Sequence, residues 1–481
     1  MRVLENLEPK SVFGYFEDIC SIPHGSGNME KISQFCVEFA KEHGLEYIQD
    51  EMKNVIIIKE ATPGYEEEEP LIIQGHLDMV CEKRPEKEKD FLTEGLDLCT
   101  DGKMVWADGT TLGGDDGIAV AYALALLSSE TLSHPRLEVV LTVDEETGLY
   151  GAKAIDLSML KGKKLINIDS EEEGYLLTSC AGGLTLSCHI PMETEEKTGL
   201  ICELKVTGLL GGHSGAEIDK GRANANVVLG RVLKKVSDKI CADVISMEGG
   251  TKDNAIPRLA SSVLLIAEKD FEAMEKIVAE QEAVLKNELH ASDDAIRLEL
   301  VKRGIETVSV LTQASMEKAL HTLNNIPNGI QSYSMDIPGL VETSLNMGIM
   351  SMDGSKMSLS FAVRSSVESA KYYLAERTAM FVKMLGGTSE VKGDYPGWAY
   401  NPASVLRETF VRVYENMYGK KPVVQAIHAG LECGLFTDKI EHLDCISLGP
   451  NMCNVHTSEE TLEVASVQRT WEYLCTVLAE K

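Results

Sequence analysis

Apolar residues along this chain fall into short runs that repeatedly end on a polar, ligand-type side chain. "PLIIQGHLD" (70–78) runs out at His76 and Asp78, and "LEVVLTVDEE" (137–146) runs into Asp144, Glu145 and Glu146. "KKLINIDSEEEG" (163–174) breaks at Asp169, and "LDCISLGPNMCNVHTSEE" (443–460) passes from a strand pattern through Gly449-Pro450 to His456. Apolar runs this short, separated by helix-like segments such as "GIAVAYALALLSS" (117–129), predict a mostly parallel sheet with covering helices. In such α/β sheets ligands collect beyond the carboxyl ends of the strands. Four strand ends therefore bring acids and imidazoles to one rim.

Beyond residue 186 the pattern changes. Polar alternation around 184–206 gives way to the glycine-rich "TGLLGGHSGAEIDKGRANANVV" (207–228), and 268–289 has Met274, Ile277, Val278 and Leu285 at helical spacing. "KMSLSFAVRSS" (356–366) reads as a strand and 365–387 as a helix closed by glycine. The stretch 187–397 thus predicts an inserted α+β domain of antiparallel sheet and helices. The turn-rich "GDYPGWAYNP" (393–402) marks the return, so that 1–186 and 398–481 build one α/β domain.

With 481 residues, 44% of them apolar and 25% charged, the chain can form such a pair of domains. Its net charge of −30 excludes the basic footprint that a nucleic acid or an anionic membrane requires. The amino-terminal "MRVLENLEPK" has no apolar targeting core, and no run approaches the ~20 apolar residues of a membrane helix, which implies a cytoplasmic location. Twelve cysteines with no Cys-x-x-Cys pair suit buried thiols in a reducing compartment. The acid run Glu66–Glu69 reads as a solvated loop.

Three adjacent acids at a buried strand end are costly unless cations stand opposite them. A pair of divalent ions needs a bridging carboxylate and separate ligands for each ion. His76 and Asp78, two residues apart on a strand end, can point the same way, with Asp78 orienting the imidazole and His76 binding metal. Asp115 in "TLGGDDGIA" lies at a helix start among glycines and is the candidate bridge, with Asp116 as its substitute. Glu146 can bind a metal while its neighbour Glu145 takes a proton from an activated water. Asp169 and His456 complete the set. Taken singly, each of these acids or histidines reads equally well as a solvated turn or a helix start; their recurrence at strand or helix ends along the chain is what points to a metal site.

The stretches "GHLDMV", "LGGDDGIA", "VDEETG", "NIDSEE" and "GPNMCNVHTSEE" resemble the metal-site motifs of the carnosinase-like di-zinc peptidase family over essentially the whole chain. The resemblance extends to its bacterial aminoacyl-histidine (Xaa-His) dipeptidase branch through "TKDNAIPR", "HAGLECG" and a "GGDDG" that lacks the wider family's Asp-Asp-Lys-Gly lysine. It implies a zinc-peptidase-like fold with a ferredoxin-like lid domain at 187–397, long enough to be duplicated and able to pair two copies in a homodimer. It implies two divalent ions, Zn²⁺ with Co²⁺ or Mn²⁺ as alternatives: His76 and Asp169 on one, Glu146 and His456 on the other, Asp115 bridging, and Glu145 as general base. His213 in "GLLGGHSG" matches a donor to the oxyanion, and Asn254 and Arg364 match residues that hold the substrate carboxylate. His428 and Glu432 in "AIHAGLECG" are candidate pocket walls near the substrate amine; structural roles fit them equally. "GHSGA" has Ala216 where a serine-hydrolase elbow needs glycine, which removes Ser214 as a nucleophile, and His24 in "SIPHGSGN" has no assigned role. The implied activity is hydrolysis of small dipeptides, carnosine-like Xaa-His among them. The alternatives are an N-acyl amino acid deacylase or broader aminopeptidase, and a catalytically silent metal-binding scaffold.

Overall fold

In the computed structural model, which describes residues 2–481, the chain divides into two compact units. The first comprises 2–180, 398–426 and 431–481, and the second comprises 181–397 with 427–430. The four-residue piece 427–430 puts His428 in the second unit and leaves Glu432 in the first.

The first unit is built on an eight-stranded sheet. Its centre is parallel: strand Leu137–Thr142 pairs with Leu71–His76, which pairs with Lys164–Asn167, which pairs with Asp444–Ser447. Flanking strands are antiparallel, Val55–Lys59 and Glu46–Gln49 on one side and Tyr175–Cys180 on the other. The strands Leu71–His76 and Leu137–Thr142 are buried at every position, the polar Gln74 and Glu138 included, as central strands of a covered sheet are. Helix Gly114–Ser128 is buried all round, which explains its lack of a polar face. Gly75 is required on steric grounds. A Cβ there would lie 2.7 Å from Ala119 Cβ and 2.7 Å from Asp116 Oδ2, so only glycine lets this helix start come so close to the strand end.

The second unit holds a nine-stranded sheet in which every pairing is antiparallel. Its order resolves into two ferredoxin-like halves joined edge to edge. One half runs Thr194–Thr207, helix Ala225–Ser237, Ala242–Gly249, Ala260–Ile266, helix Phe271–Glu288, Arg297–Leu311, and its strands lie in the order fourth, first, third, second. The other uses Gly182–Pro191, helix Gln313–Asn325, Val341–Met352, Lys356–Ser365, helix Glu368–Met384 and Thr388–Tyr395 in the same relative order. The first half is inserted after the opening strand of the second. Met274, Val278 and Leu285 of the 271–288 helix are buried in this unit's core, as their spacing predicts.

Candidate metal centre

Each candidate ligand of the first unit sits just past a strand end or at a helix start. His76 is the last residue of its strand, Glu145 and Glu146 follow Leu137–Thr142, Asp169 follows Lys164–Asn167, Asp115 opens the helix Gly114–Ser128, and His456 lies in the loop beyond Asp444–Ser447. These segments, more than 300 residues apart in sequence for Asp115 and His456, meet at one place. Asp115 Oδ1 lies 3.0 Å from His76 Nε2, and its Oδ2 lies 3.0 Å from His456 Nε2. Glu146 Oε1 is 2.8 Å from the same nitrogen of His456, and Asp169 Oδ1 is 3.8 Å from His76 Nε2.

These spacings fit ions. Two atoms each about 2.1 Å from a tetrahedral cation lie ~3.4 Å apart, within the 2.8–3.8 Å range of separations found here. Ligand atoms of Asp115, Glu146 and His456 lie within 4.8 Å of one another, as do those of His76, Asp116 and Asp169. An oxygen-and-imidazole donor set of this kind suits a hard or borderline dication. One carboxylate oxygen toward each imidazole is the geometry a bridging ligand requires, and Asp115 has it. Asp116 instead turns its Oδ2 to the His76 backbone N–H at 3.0 Å.

The surroundings fix the imidazole of His76. Its Nδ1–H donates to the Asp78 carbonyl at 2.9 Å, which leaves Nε2 facing Asp115. The Asp78 carboxylate lies 3.6 Å from the same nitrogen as an ion-pair partner, and this oxygen accepts from Glu145 N–H at 3.0 Å. Asp78 Oδ2 accepts from Ser26 Oγ at 2.8 Å and from Glu146 N–H at 3.4 Å. Asp78 thus orients His76 through its main chain and the turn carrying both glutamates through its side chain. His24, unassigned from sequence, is buried in the adjoining loop, with Nδ1 donating to Ile22 O at 2.6 Å.

Electrostatics show a centre with excess negative charge. Burial, reinforced by Asp116 and Asp115, pushes the Asp169 carboxyl well above its ordinary value. Burial raises Glu145 to about 8; His76 opposes this, and Glu432, Glu146 and Asp115 add to it. Hydrogen bonds to Asp115 and Glu146 raise His456 to about 10. Burial disfavours the His76 imidazolium, but Asp115, Asp78, Asp169 and Asp116 outweigh it and hold the group well above its usual range. Bound dications would neutralise the same carboxylates. The third acid of the triplet serves the backbone instead, since Asp144, in a left-handed conformation at φ 52°, accepts from Gly27 N–H at 2.8 Å.

Three features were not read from sequence. Asp116 braces the His76 backbone, and Glu460 accepts hydrogen bonds from the backbone of 112–115. The third is the hydrogen bonding of Glu432, for which a pocket wall and a structural role were both open: it is wholly buried, with Oε2 accepting from Gln74 Nε2 and from Thr142 Oγ1 at 2.7 Å. The only sequence hint of Glu460 was its place four residues after His456.

The remaining predicted residues lie in the second unit. His213 ends a two-residue strand paired with Ala255–Ile256, and its Nδ1 accepts from Gly215 N–H at 3.3 Å and Ala216 N–H at 3.0 Å. A neutral His213 therefore carries its proton on Nε2. Burial and the charge of Arg364 lower its pKa, which favours that neutral form. The buried Arg364 donates from Nη1 to Tyr395 Oη at 2.9 Å and brings Nη2 to 3.5 Å from His213 Nε2. With a proton on each nitrogen, the two groups are donors side by side and do not hydrogen-bond to each other. His428 contacts Ser344 Oγ through Nε2 at 2.8 Å, and burial with the Arg364 charge pushes it down to about 3. Gly215 permits this crowding, since a Cβ there would meet His428 O at 2.4 Å and Arg364 Nε at 3.1 Å. Asn254 is exposed, and its carbonyl accepts from Ser214 N–H at 2.9 Å.

An α/β sheet with acids and imidazoles gathered past its strand ends, carrying a duplicated ferredoxin-like insertion, defines a class of metallopeptidase. The profile of peptidase family M20/M25/M40 matches residues 72–480, and the chain belongs to that family. It is 36% identical to the cytosol non-specific dipeptidase of Escherichia coli (strain K12), over 100% of this chain and 99% of that protein. Among solved structures, the aminoacylhistidine dipeptidase from Vibrio alginolyticus superposes with a TM-score of 0.92 at 34% identity, covering 99% of this chain and 98% of the other. Aminopeptidase PepT from Bacillus cereus shares the fold at a TM-score of 0.57 and 15% identity, with 98% of each chain covered.

Proposed function

We propose that the chain is a two-metal dipeptidase that cleaves the amide bond of small dipeptides, Xaa-His substrates included. The observation that carries this is the placement of the two oxygens of Asp115 against two different imidazoles, with Glu145 among the same carboxylates. His76 and Asp169 would hold one ion, Glu146 and His456 the other, and Asp115 both; Zn²⁺ suits the donor set, and Co²⁺ or Mn²⁺ could replace it. When bound, such ions supply Lewis acidity, lowering the pKa of water and polarising the scissile carbonyl. Whole-length identity to a dipeptidase supports the substrate class.

The chain's own groups do the rest. Glu145 is the general base: its carboxylate accepts a proton from the attacking water and returns it to the leaving nitrogen. Asp78 holds the Glu145 backbone and the His76 ring in place for this. His213, with its proton on Nε2, is the donor to the oxyanion that forms as the carbonyl is attacked. Arg364 and Asn254 receive the substrate's carboxylate, for which a guanidinium fork is well shaped. His428 stays neutral beside Arg364 and adds no charge to compete with that carboxylate.

The test is turnover of a panel of dipeptides, Xaa-His among them, with tripeptides and N-acyl amino acids as controls, before chelation, after it and after metal add-back. Dipeptide hydrolysis lost on chelation and restored by two equivalents of metal is the expected result. Turnover restricted to N-acyl amino acids would make the protein a deacylase, and turnover indifferent to chelation would remove the metals.

A further inference from the structure

The loop that carries Asp115 has no side-chain cap of its own. Gly113, which precedes the helix Gly114–Ser128, offers no acceptor, and the first backbone N–H groups of a helix need one. They find it in a residue from the other end of the chain. Glu460 Oε2 accepts from Leu112 N–H at 2.7 Å and Gly113 N–H at 3.2 Å; its Oε1 accepts from Gly114 N–H at 2.8 Å and, at the long limit of 3.5 Å, from Asp115 N–H. The side chain is buried, and both its oxygens are used.

Glu460 also lies four residues beyond His456 in one short loop, in which Glu460 N–H donates to Thr457 O and Thr457 N–H donates to Asn454 O, both at 3.2 Å. The carboxylate therefore ties the loop of one imidazole to the loop of the carboxylate that this imidazole must share an ion with. Space around it is already closed: a Cβ on Gly114 would lie 3.1 Å from Glu460 Oε1 and 3.0 Å from Met452 Sδ. A shift of either loop would have to break several backbone hydrogen bonds to this one buried carboxyl group at once.

We infer that Glu460 is a positioning residue that sets the separation of Asp115 and His456 and so fixes the affinity of the centre for its second ion. This rests on the metal reading of the site. Outer residues that orient ligands change metal affinity by about 10–100-fold when removed. Glu460→Gln keeps the size of the side chain but replaces one acceptor oxygen with an N–H₂ group that faces backbone donors. Glu460→Asp keeps the charge on a shorter stem and can serve only part of the cradle.

Two measurements decide it: metal dissociation constants by competition with a chelator, and amide hydrogen exchange of residues 112–115 in metal-free protein. The expected result is two ions in the parent protein, with the weaker-held ion loosened about 10–100-fold in Glu460→Gln, less in Glu460→Asp, and faster exchange at Gly114 and Asp115 in both. Unchanged dissociation constants in a folded variant would overturn the assignment even if turnover changed. If Glu460→Gln does not fold, Glu460→Asp decides alone by the same criterion. A parent protein that binds no metal would overturn the reading of the site itself, whereas unchanged exchange at 112–115 would overturn only the role of Glu460.

Discussion

The two units concentrate opposite chemistries. In the first, carboxylates outnumber the groups that could neutralise them, and burial pushes Asp169 and Glu145 toward protonation while the imidazoles of His76 and His456 are driven toward charge. In the second, Arg364 and the Nε2–H of His213 converge while burial and the guanidinium push both His213 and His428 toward neutrality. One set of side chains calls for cations and the other for an anion. Under the proposed function the first set would serve the water and carbonyl through bound cations, and the second would donate to the developing oxyanion and the terminal carboxylate. The contrast also has a structural origin: the acids stand at the ends of parallel strands joined by long crossovers, and the donors stand on antiparallel strands and tight turns.

The sharpest break of this comparison is Asp115→Ala. It removes the carboxylate whose two oxygens lie 3.0 Å from two different imidazoles, so both ions are expected to be lost and turnover to fall to the background of buffer. Elemental analysis checks it; a variant that kept two ions would show that Asp116 or another acid bridges. The next largest effect separates binding from chemistry. Glu145→Gln leaves every proposed ligand in place and should keep both ions, yet kcat should fall by about 10²–10⁴-fold, the usual worth of a general base. Wild-type kcat in this variant would remove Glu145 from proton transfer.

What could be read in advance follows from which forces are local. The strand ends were legible because a buried parallel strand is mostly apolar, so the polar residues at which the run stops are conspicuous: His76, Asp169 and the acid triplet stand out this way, although Gln74 and Glu138 are polar positions inside the buried strands. The buried helix after Asp115 was legible for the same reason, and the 271–288 helix through its periodicity. The antiparallel flanks of the first sheet were not, because a short apolar run does not state its direction. The sequence pairs Asp78 with His76 but does not say which of its oxygens meets the ring, since a carbonyl and a carboxylate of one residue are indistinguishable in sequence. Glu460 and Glu432 look like any other acids in their segments. Their roles depend on Leu112–Asp115 and on Gln74 and Thr142, which only the fold brings to them. The candidate residues of the second unit rest on resemblance alone, and a glycine-flanked histidine such as His213 carries no pattern that marks it.

A smaller effect sharpens the other side of the comparison. His213→Ala removes a single donor, and its expected cost is about 10²–10³-fold in kcat, as for other oxyanion donors. Metal content should stay at the parent value, which separates it from Asp115→Ala. A change in KM alone would make His213 a substrate-binding group instead.

The smallest effect is a pH dependence of opposite sign in the two metal states. In chelated protein His456 has its pKa raised from 6.5 to about 10 by Asp115 and Glu146, with Glu171 also nearby. A raised folded-state pKa stabilises fully below 6.5 and loses that contribution as pH climbs through about 10. The side chain is 48% exposed, so screening keeps the contribution to about 1 kcal/mol or less and the shift in Tm to roughly 3 °C or less. Metal binding runs the other way, because the imidazole must shed that proton before it can ligate, so affinity should rise with pH across the same window. The check compares parent protein with His456→Ala by thermal unfolding. Chelated, the parent's advantage should shrink from pH 7 to pH 10; loaded with metal, it should grow until the imidazole is fully deprotonated. Parallel slopes in the two states would mean that His456 does not exchange a proton for an ion, and the contrast between a cation-seeking unit and an anion-seeking one would lose its firmest electrostatic support.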